Sequence, residues 1–143
     1  MKSSARNQYG GTVLSVKNGA VNDEIEILLD SGNTRITSIT TSAASKSMAL
    51  ETGKKVVAIV KEDWIVLVKD AEGYRFSSRN HFPGTVVSIK EIGVMREVNM
   101  RLVGGESLTS IITADAAKSL DLNTGDELIA LLKAPMVFIC VKE

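Results

Sequence analysis

Residues 4–17 have the sequence SARNQYGGTVLSVK, and residues 77–90 have the closely similar sequence SSRNHFPGTVVSIK. Each stretch opens with two small residues, an arginine and an asparagine. Further identities recur 73 residues apart as far as Leu29, and 72 residues apart from Thr37 onward. A repeat of this period predicts two copies of one folding unit rather than a single domain. We predict domains at residues 1–71 and 72–143.

Hydrophobic alternation predicts five short strands in each copy, with one short helix between the third and fourth. The predicted strands cover residues 12–16, 24–29, 34–40, 55–61 and 64–69, and then 84–90, 97–103, 107–113, 127–133 and 136–141. The predicted helices cover residues 43–50, after a cap signal at Thr41-Ser42, and residues 115–122. This order is that of a small OB-like barrel. The predicted fold class is therefore mainly β, with two tandem OB-like five-stranded β-barrels.

The composition narrows the range of functions. The 17 basic and 17 acidic residues cancel, and aromatic residues make up only 4% of the chain. The protein therefore has neither the basic field nor the stacking rings of a nucleic-acid binder. One cysteine excludes an internal disulfide, and no apolar run resembles a signal peptide or a membrane span. We predict a cytoplasmic protein without a membrane partner. Units of roughly 70 residues have marginal cores, so we also expect an oligomer.

Several polar residues recur although the core does not need them. In the first helix, Ala44 and Met48 lie on the inward face and the pair Lys46-Ser47 faces outward. Taken alone, such a pair is more commonly a solvated helix surface, but it recurs in the second copy. The tetrapeptides add hydroxyls, backbone donors, an arginine fork and an amide. The candidate oxyanion-binding residues are Ser4, Ala5, Arg6, Asn7, Lys46, Ser47, Ser77, Ser78, Arg79, Asn80, Lys118 and Ser119.

These candidate residues contain many hydrogen-bond donors and no carboxylate, which suits a compact oxyanion. The repeat contains no recurring histidine or cysteine that could serve in catalysis. His81, the only histidine, has Gln8 as its counterpart, and Cys140 has Val68. One histidine and one cysteine do not build a transition-metal cation site, and no phosphate loop or nucleophile elbow occurs. We predict a protein that is not an enzyme, with no catalytic cofactor and no bound metal cation.

The segments SARNQ (4–8), GTVLSVKNGAV (11–21), ITSIT (36–40) and TGKKVVAIVK (52–61) together resemble the Mop domain of the molbindin family. Mop domains belong to the TOBE group of OB-like domains. The resemblance covers nearly the whole chain twice, as in stand-alone cytoplasmic di-Mop molbindins. It implies a protein that binds molybdate, and tungstate as its analogue, for intracellular molybdenum storage and homeostasis.

The resemblance also implies where the anion binds. Molbindins hold it at interfaces between Mop domains of a symmetric oligomer, which for two domains per chain is a homotrimer. Each tetrapeptide would face a Lys-Ser pair of another domain, and the sequence leaves open which pair. Ser78 replaces the usual alanine, and His81-Phe82-Pro83 replaces Gln8-Tyr9-Gly10. The two classes of site are therefore expected to differ in affinity.

Two alternatives remain at this stage: an OB-fold nucleic-acid-binding module and a purely structural assembly module. Di-Mop units also occur fused to DNA-binding domains in molybdate-responsive regulators, and Mop-like units occur in transporter ATPases. No helix-turn-helix segment precedes Ser4 and no phosphate loop is present. Neither attached function is expected, and we predict no nucleic-acid partner.

Overall fold

The computed structural model describes all residues, 1–143, and confirms the mainly β fold class. It contains ten strands, two short α-helices and two 3₁₀ turns. In chain order the elements are β1 (Asn7–Lys17), β2 (Asn22–Leu29), β3 (Arg35–Thr41), α1 (Ser42–Ser47), β4 (Lys55–Val60), a 3₁₀ turn (Glu62–Trp64), β5 (Val66–Val68), β6 (Asn80–Ile92), β7 (Met95–Leu102), β8 (Ser107–Thr113), α2 (Ala114–Ser119), β9 (Glu127–Leu132), a 3₁₀ turn (Ala134–Met136) and β10 (Val137–Cys140).

The two sheets exchange their fifth strands. The first sheet has the order β10-β4-β1-β2-β3, and the second has the order β5-β9-β6-β7-β8. Thus β5 leaves the sheet of its own repeat and pairs with β9, with Val66 opposite Leu131, while β10 pairs with β4, with Phe138 opposite Ile59. Both exchanged pairs are antiparallel and have the same register. Each sheet is therefore completed by the other repeat.

Strands β1 and β6 begin earlier than the hydrophobic pattern predicts. Asn7 pairs with Val60 and Gly11 pairs with Val56, so the last residue of the tetrapeptide is the first residue of the strand. The glycines conceal this segment from pattern analysis because they contribute no side chain to the alternation. Gly11 is required by packing, since a Cβ there would lie 2.7 Å from the Ile27 side chain and 2.8 Å from the Leu28 carbonyl oxygen.

A single hydrophobic core runs through both repeats. It contains 20 buried side chains, among them Val13 and Ile27 of the first repeat and Val86 and Met100 of the second. The exchanged strands contribute as well, since Val137 of β10 is 3% exposed in the core of the first sheet. Because burial of apolar surface is the main stabilising contribution in folding, this shared core ties the folding of each repeat to the other.

Each helix begins one residue before the predicted start and ends three residues before the predicted end. The Thr41 side chain accepts a hydrogen bond from the Ala44 N–H at 3.1 Å, and Thr113 caps α2 in the same way. Each helix stops after six residues because Ala49 and Asp121 adopt left-handed φ angles of 50° and 46°. Neither helix has the length or the apolar character to cross a membrane.

Candidate functional site

The two tetrapeptides, residues 4–7 (the first arm) and 77–80 (the second arm), each attach to the other repeat through their asparagine. The Asn7 Nδ2 donates to the Thr109 carbonyl at 2.7 Å, and the Asn7 Oδ1 accepts from the Thr109 N–H at 2.8 Å. Asn80 makes the same two bonds to Thr37, both at 2.8 Å. Both asparagines are only 2% exposed. Each amide therefore occupies the edge of β8 or β3 as a neighbouring strand would.

The arginine of each arm pairs with a glutamate of the other repeat. Arg6 forms an ion pair with Glu97, and Arg79 lies 2.5 Å from Glu24. The two glutamates are counterparts in the repeat, and both arginine side chains remain more than half exposed, at 52% and 57%. The candidate residues themselves include no carboxylate, but each arginine has one beside it from the other repeat. Each arginine is therefore paired with one carboxylate while about half of its side chain stays exposed.

Strand register determines the helix toward which each arm runs. Glu97 lies opposite Ile111 on β8, two residues closer to α2 than Thr109. Passing from Asn7 to Arg6, the first arm therefore advances along β8 toward α2. By the same register the second arm advances along β3 toward α1, because Glu24 lies opposite Ile39 and Asn80 contacts Thr37. Within one chain, each arm is thus directed toward the helix of the other repeat.

The Lys-Ser pairs are free to bind. Lys46 and Ser47 at the end of α1, and Lys118 and Ser119 at the end of α2, are all exposed. Each pair is on the outward side of its helix, as predicted. Among residues 1–143 no hydrogen bond or ion pair engages these four side chains. Two ammonium groups and two hydroxyls are consequently available for a ligand or for another subunit.

The sequence analysis did not include a second pair of lysines among the candidate residues. The Lys61 Nζ lies 3.4 Å from the Ser4 carbonyl oxygen, and the Lys133 Nζ lies 3.1 Å from the Ser77 Oγ. These lysines are counterparts at the 72-residue spacing and follow β4 and β9 directly. Their recurrence at this spacing is the sequence feature that could have identified them as candidate site residues. Each arm therefore has a second cation beside its first serine.

The hydroxyl of Ser78, where the first arm has Ala5, is occupied by the backbone. Its Oγ lies 2.8 Å from the Asn80 carbonyl oxygen and 2.6 Å from the Leu132 carbonyl oxygen. A hydroxyl has one proton to donate, so either carbonyl can take it. The extra hydroxyl therefore anchors the second arm to the end of β9 rather than adding a free donor.

A buried carboxylate distinguishes the first arm. The Arg6 N–H donates to the Glu62 Oε2 at 2.9 Å, and the Lys61 Nζ donates to the Glu62 Oε1 at 3.1 Å. Burial alone would raise the pKa of Glu62, but the hydrogen bond from the Arg6 backbone and those from its own backbone and Lys61 hold this pKa below its ordinary value. Glu62 is therefore a charged group beneath the arm at neutral pH. Its counterpart in the second repeat is Ala134.

The fold and these contacts define a class of protein: a paired OB-like module with two related, donor-rich cationic arms. No group of three or more histidine, cysteine, aspartate or glutamate side chains in residues 1–143 is arranged to hold a metal ion. The chain belongs to the TOBE domain family, whose model matches residues 3–67 and again residues 77–139. The resemblance to Mop domains of the TOBE group is thereby confirmed, in two repeats.

Curated relatives match along the whole chain. The molybdenum transport protein ModE of Herbaspirillum seropedicae is 33% identical over 143 residues, which are 100% of this chain and 53% of that protein. The molybdenum-pterin-binding protein MopB of Rhodobacter capsulatus is 32% identical over 141 residues, which are 99% of this chain and 52% of that protein. The chain thus spans about half the length of the curated relatives it matches.

A solved structure matches in full. The cytoplasmic molybdate-binding protein ModG, in a form with molybdate bound, has a TM-score of 0.93 and 42% identity to this chain. The match covers 99% of this chain and 100% of that one. The likeness therefore extends to both repeats and to their arrangement.

Proposed function

We propose that this chain binds molybdate, and tungstate as its analogue, for intracellular molybdenum storage and homeostasis. The observation that carries the proposal is the full-length match to ModG with molybdate bound, at 42% identity. The chemistry of the arms is consistent with it. Each arm places an arginine and a serine near a lysine, Lys61 in the first case and Lys133 in the second, and a tetrahedral dianion is best held by many such donors.

The proposed ligand residues are those of the two arms together with Lys46, Ser47, Lys118 and Ser119. The free lysines would supply charge, and Arg6 and Arg79 would supply the directed donors of their exposed forks. We propose that Asn7 and Asn80 serve the site by holding the arms on β8 and β3, since both polar atoms of each amide already bond to the backbone. An anion would then close the gap between an arm and a Lys-Ser pair.

We further propose that the binding sites lie at interfaces between domains of a homotrimer. Val21 and Val94 support an oligomer, because these counterparts in the repeat are 70% and 79% exposed. Single exposed apolar residues are common on protein surfaces, so the support comes from the recurrence of this exposure at the same position of both repeats. The number of subunits follows from the resemblance to di-Mop molbindins. Binding without catalysis and a cytoplasmic location belong to the same proposal.

A second candidate function is that of the ligand-sensing half of a transcriptional regulator. The DNA-binding transcriptional dual regulator ModE of Escherichia coli is 29% identical over 139 residues, and these are 52% of that protein. This reading keeps the oxyanion site and adds a DNA partner through another domain. The zero net charge of the 143 residues argues against DNA binding by this part itself.

Native mass spectrometry with molybdate, and with sulfate as the control anion, tests the proposal. We expect an oligomer that gains several molybdate ions and loses them when Lys46 and Lys118 are both changed to alanine. Lys55→Ala is a matched control, because Lys55 is also exposed and has no side-chain partner. A protein that takes up no molybdate at high micromolar concentration would refute the storage function. The arms would then be contacts between subunits only.

A further inference from the structure

The arms are alike in their asparagine and arginine contacts, yet they differ in what lies beneath them. Under the first arm the Glu62 carboxylate is 6% exposed and accepts hydrogen bonds from the Arg6 N–H and from the Lys61 Nζ. One backbone donor of the arm and the neighbouring ammonium group are both engaged by this single carboxylate. A ligand at the first arm therefore meets donors that an internal anion already uses.

Under the second arm the corresponding groups are free of any carboxylate. Ala134 takes the place of Glu62 and is 2% exposed. The Arg79 N–H has no acceptor among residues 1–143, and the Lys133 Nζ bonds to the Ser77 hydroxyl at 3.1 Å. The second arm consequently offers one more backbone donor and one more uncompensated positive charge than the first.

We propose that Glu62 is a built-in counter-anion that weakens oxyanion binding at the first arm, so that sites formed with the second arm fill first. This inference rests on the proposed oxyanion-binding function and assigns unequal affinities to its two classes of site. Both arms have an Arg–Glu pair at corresponding positions, Arg6–Glu97 and Arg79–Glu24, so the presence of such a pair does not distinguish them. We assign the difference to the position beneath the arm, where the first repeat has Glu62 and the second has Ala134.

The physical basis is electrostatic. A carboxylate repels a dianion that approaches the same donors, and burial reduces the screening by water. A ligand at the first arm must either compete for the Arg6 N–H or do without it. Hydrogen bonds to charged groups are strong enough that losing one lowers affinity roughly tenfold to a hundredfold. The two classes of site should differ by a factor in this range.

Calorimetric titration of the intact protein with molybdate tests this inference through Glu62→Gln and the reciprocal Ala134→Glu. Glutamine keeps the size of Glu62 and one of its two acceptor oxygens, and it replaces the charged carboxylate with a neutral amide, so that one of the two hydrogen bonds from the Arg6 N–H and the Lys61 Nζ is also lost. We expect two classes of site in the original protein, and a roughly tenfold or greater strengthening of the weaker class in Glu62→Gln. Ala134→Glu should weaken the tighter class, and Ala134→Gln controls for the bulk added at that buried position. Glu72→Gln, an exposed charge removal in the linker, should change neither class.

The outcomes separate the inference from the proposed function. If the protein binds molybdate and Glu62→Gln gives the same titration as the original protein, the role of Glu62 is refuted and the binding function stands. If neither the original protein nor any variant binds molybdate, both are refuted. Thermal unfolding of each variant without ligand shows whether it is folded under the titration conditions. Should Ala134→Glu unfold, Glu62→Gln alone decides.

Discussion

Replacing Asn7 by alanine should destabilise the protein severely, although Asn7 looks from sequence like a ligand residue on a flexible arm. The substitution removes both partners of the Thr109 backbone, the Asn7 Nδ2 at 2.7 Å and the Asn7 Oδ1 at 2.8 Å. A buried polar group left without a partner costs about 1–3 kcal/mol. Two such groups give an expected loss of about 2–6 kcal/mol, a large part of the roughly 5–15 kcal/mol that keeps a typical domain folded.

Equilibrium unfolding in urea measures this loss. Trp64, the only tryptophan, packs against Phe138 with ring centroids 5.7 Å apart, so its fluorescence reports on contact between the repeats. The protein concentration must be the same for all variants, because an oligomer is stabilised by its own concentration. Asn18→Ala is the matched control, since Asn18 is exposed and without a side-chain partner. It should change stability by less than about 0.5 kcal/mol.

The same variant decides between two roles for the asparagine. If Asn7 holds the arm, Asn7→Ala lowers stability without any ligand present. If Asn7 acts instead as a direct ligand, the variant unfolds like the original protein and loses only molybdate binding. A change in unfolding free energy below about 0.5 kcal/mol would therefore refute the structural role argued here. The paired contact of Asn80 with Thr37 predicts the same result at the second arm.

Three further predictions follow from the fold. Thr41→Ala removes the cap of α1 and should cost about 1 kcal/mol in urea unfolding, whereas Thr41→Ser should cost little. Burial by itself would raise the pKa of Glu106, but hydrogen bonds from Ser31 and Thr34 outweigh this effect and hold the pKa below its ordinary value of 4.5. The stability that the ionised Glu106 contributes should therefore be fully present above about pH 4.5 and be lost as the pH falls through the lowered pKa. Glu106→Gln should make the loss of stability in acid less steep. A fragment of residues 1–71 should dimerise in sedimentation experiments by pairing its β5 with β4 of a second copy; a folded monomer would contradict the strand exchange.

Local chemistry made much of the fold predictable. The alternation in β2 buries Ile25 and Ile27 on one face, and Thr41 caps α1, as the cap signal at Thr41-Ser42 predicts. The partners of β5 and β10 could not be predicted, because an apolar strand of three or four residues fits β4 and β9 equally well. The sequence does not distinguish the two possible partners, since β4 and β9 have the same alternation of buried and less buried residues. Tertiary contacts alone decide which sheet a strand joins.

At the candidate site, too, local sequence predicted some features, and others depended on tertiary contacts. Helical periodicity correctly placed Lys46 and Lys118 on the outward face, because a helix turns by a fixed angle per residue. It could not predict that Asn7 is buried against Thr109 or that Arg6 meets Glu97, since these partners are 102 and 91 residues apart in sequence. The residue types of the arms pointed to an anionic ligand. Which of their donors remain unbonded could not be predicted, because it depends on contacts between the repeats.

The exchange of the fifth strands and the attachment of each arm to the other repeat make the two repeats of one chain depend on each other. Each arm is anchored on the edge strand of the other repeat and runs toward that repeat's helix, and each sheet is completed by the other repeat's last strand. Within one chain, an arm and the helix toward which it runs therefore belong to different repeats. Because the two copies can diverge independently within one chain, a single exchange of Glu62 for alanine can make one class of site differ from the other. A protein assembled from identical single repeats could not have such a difference.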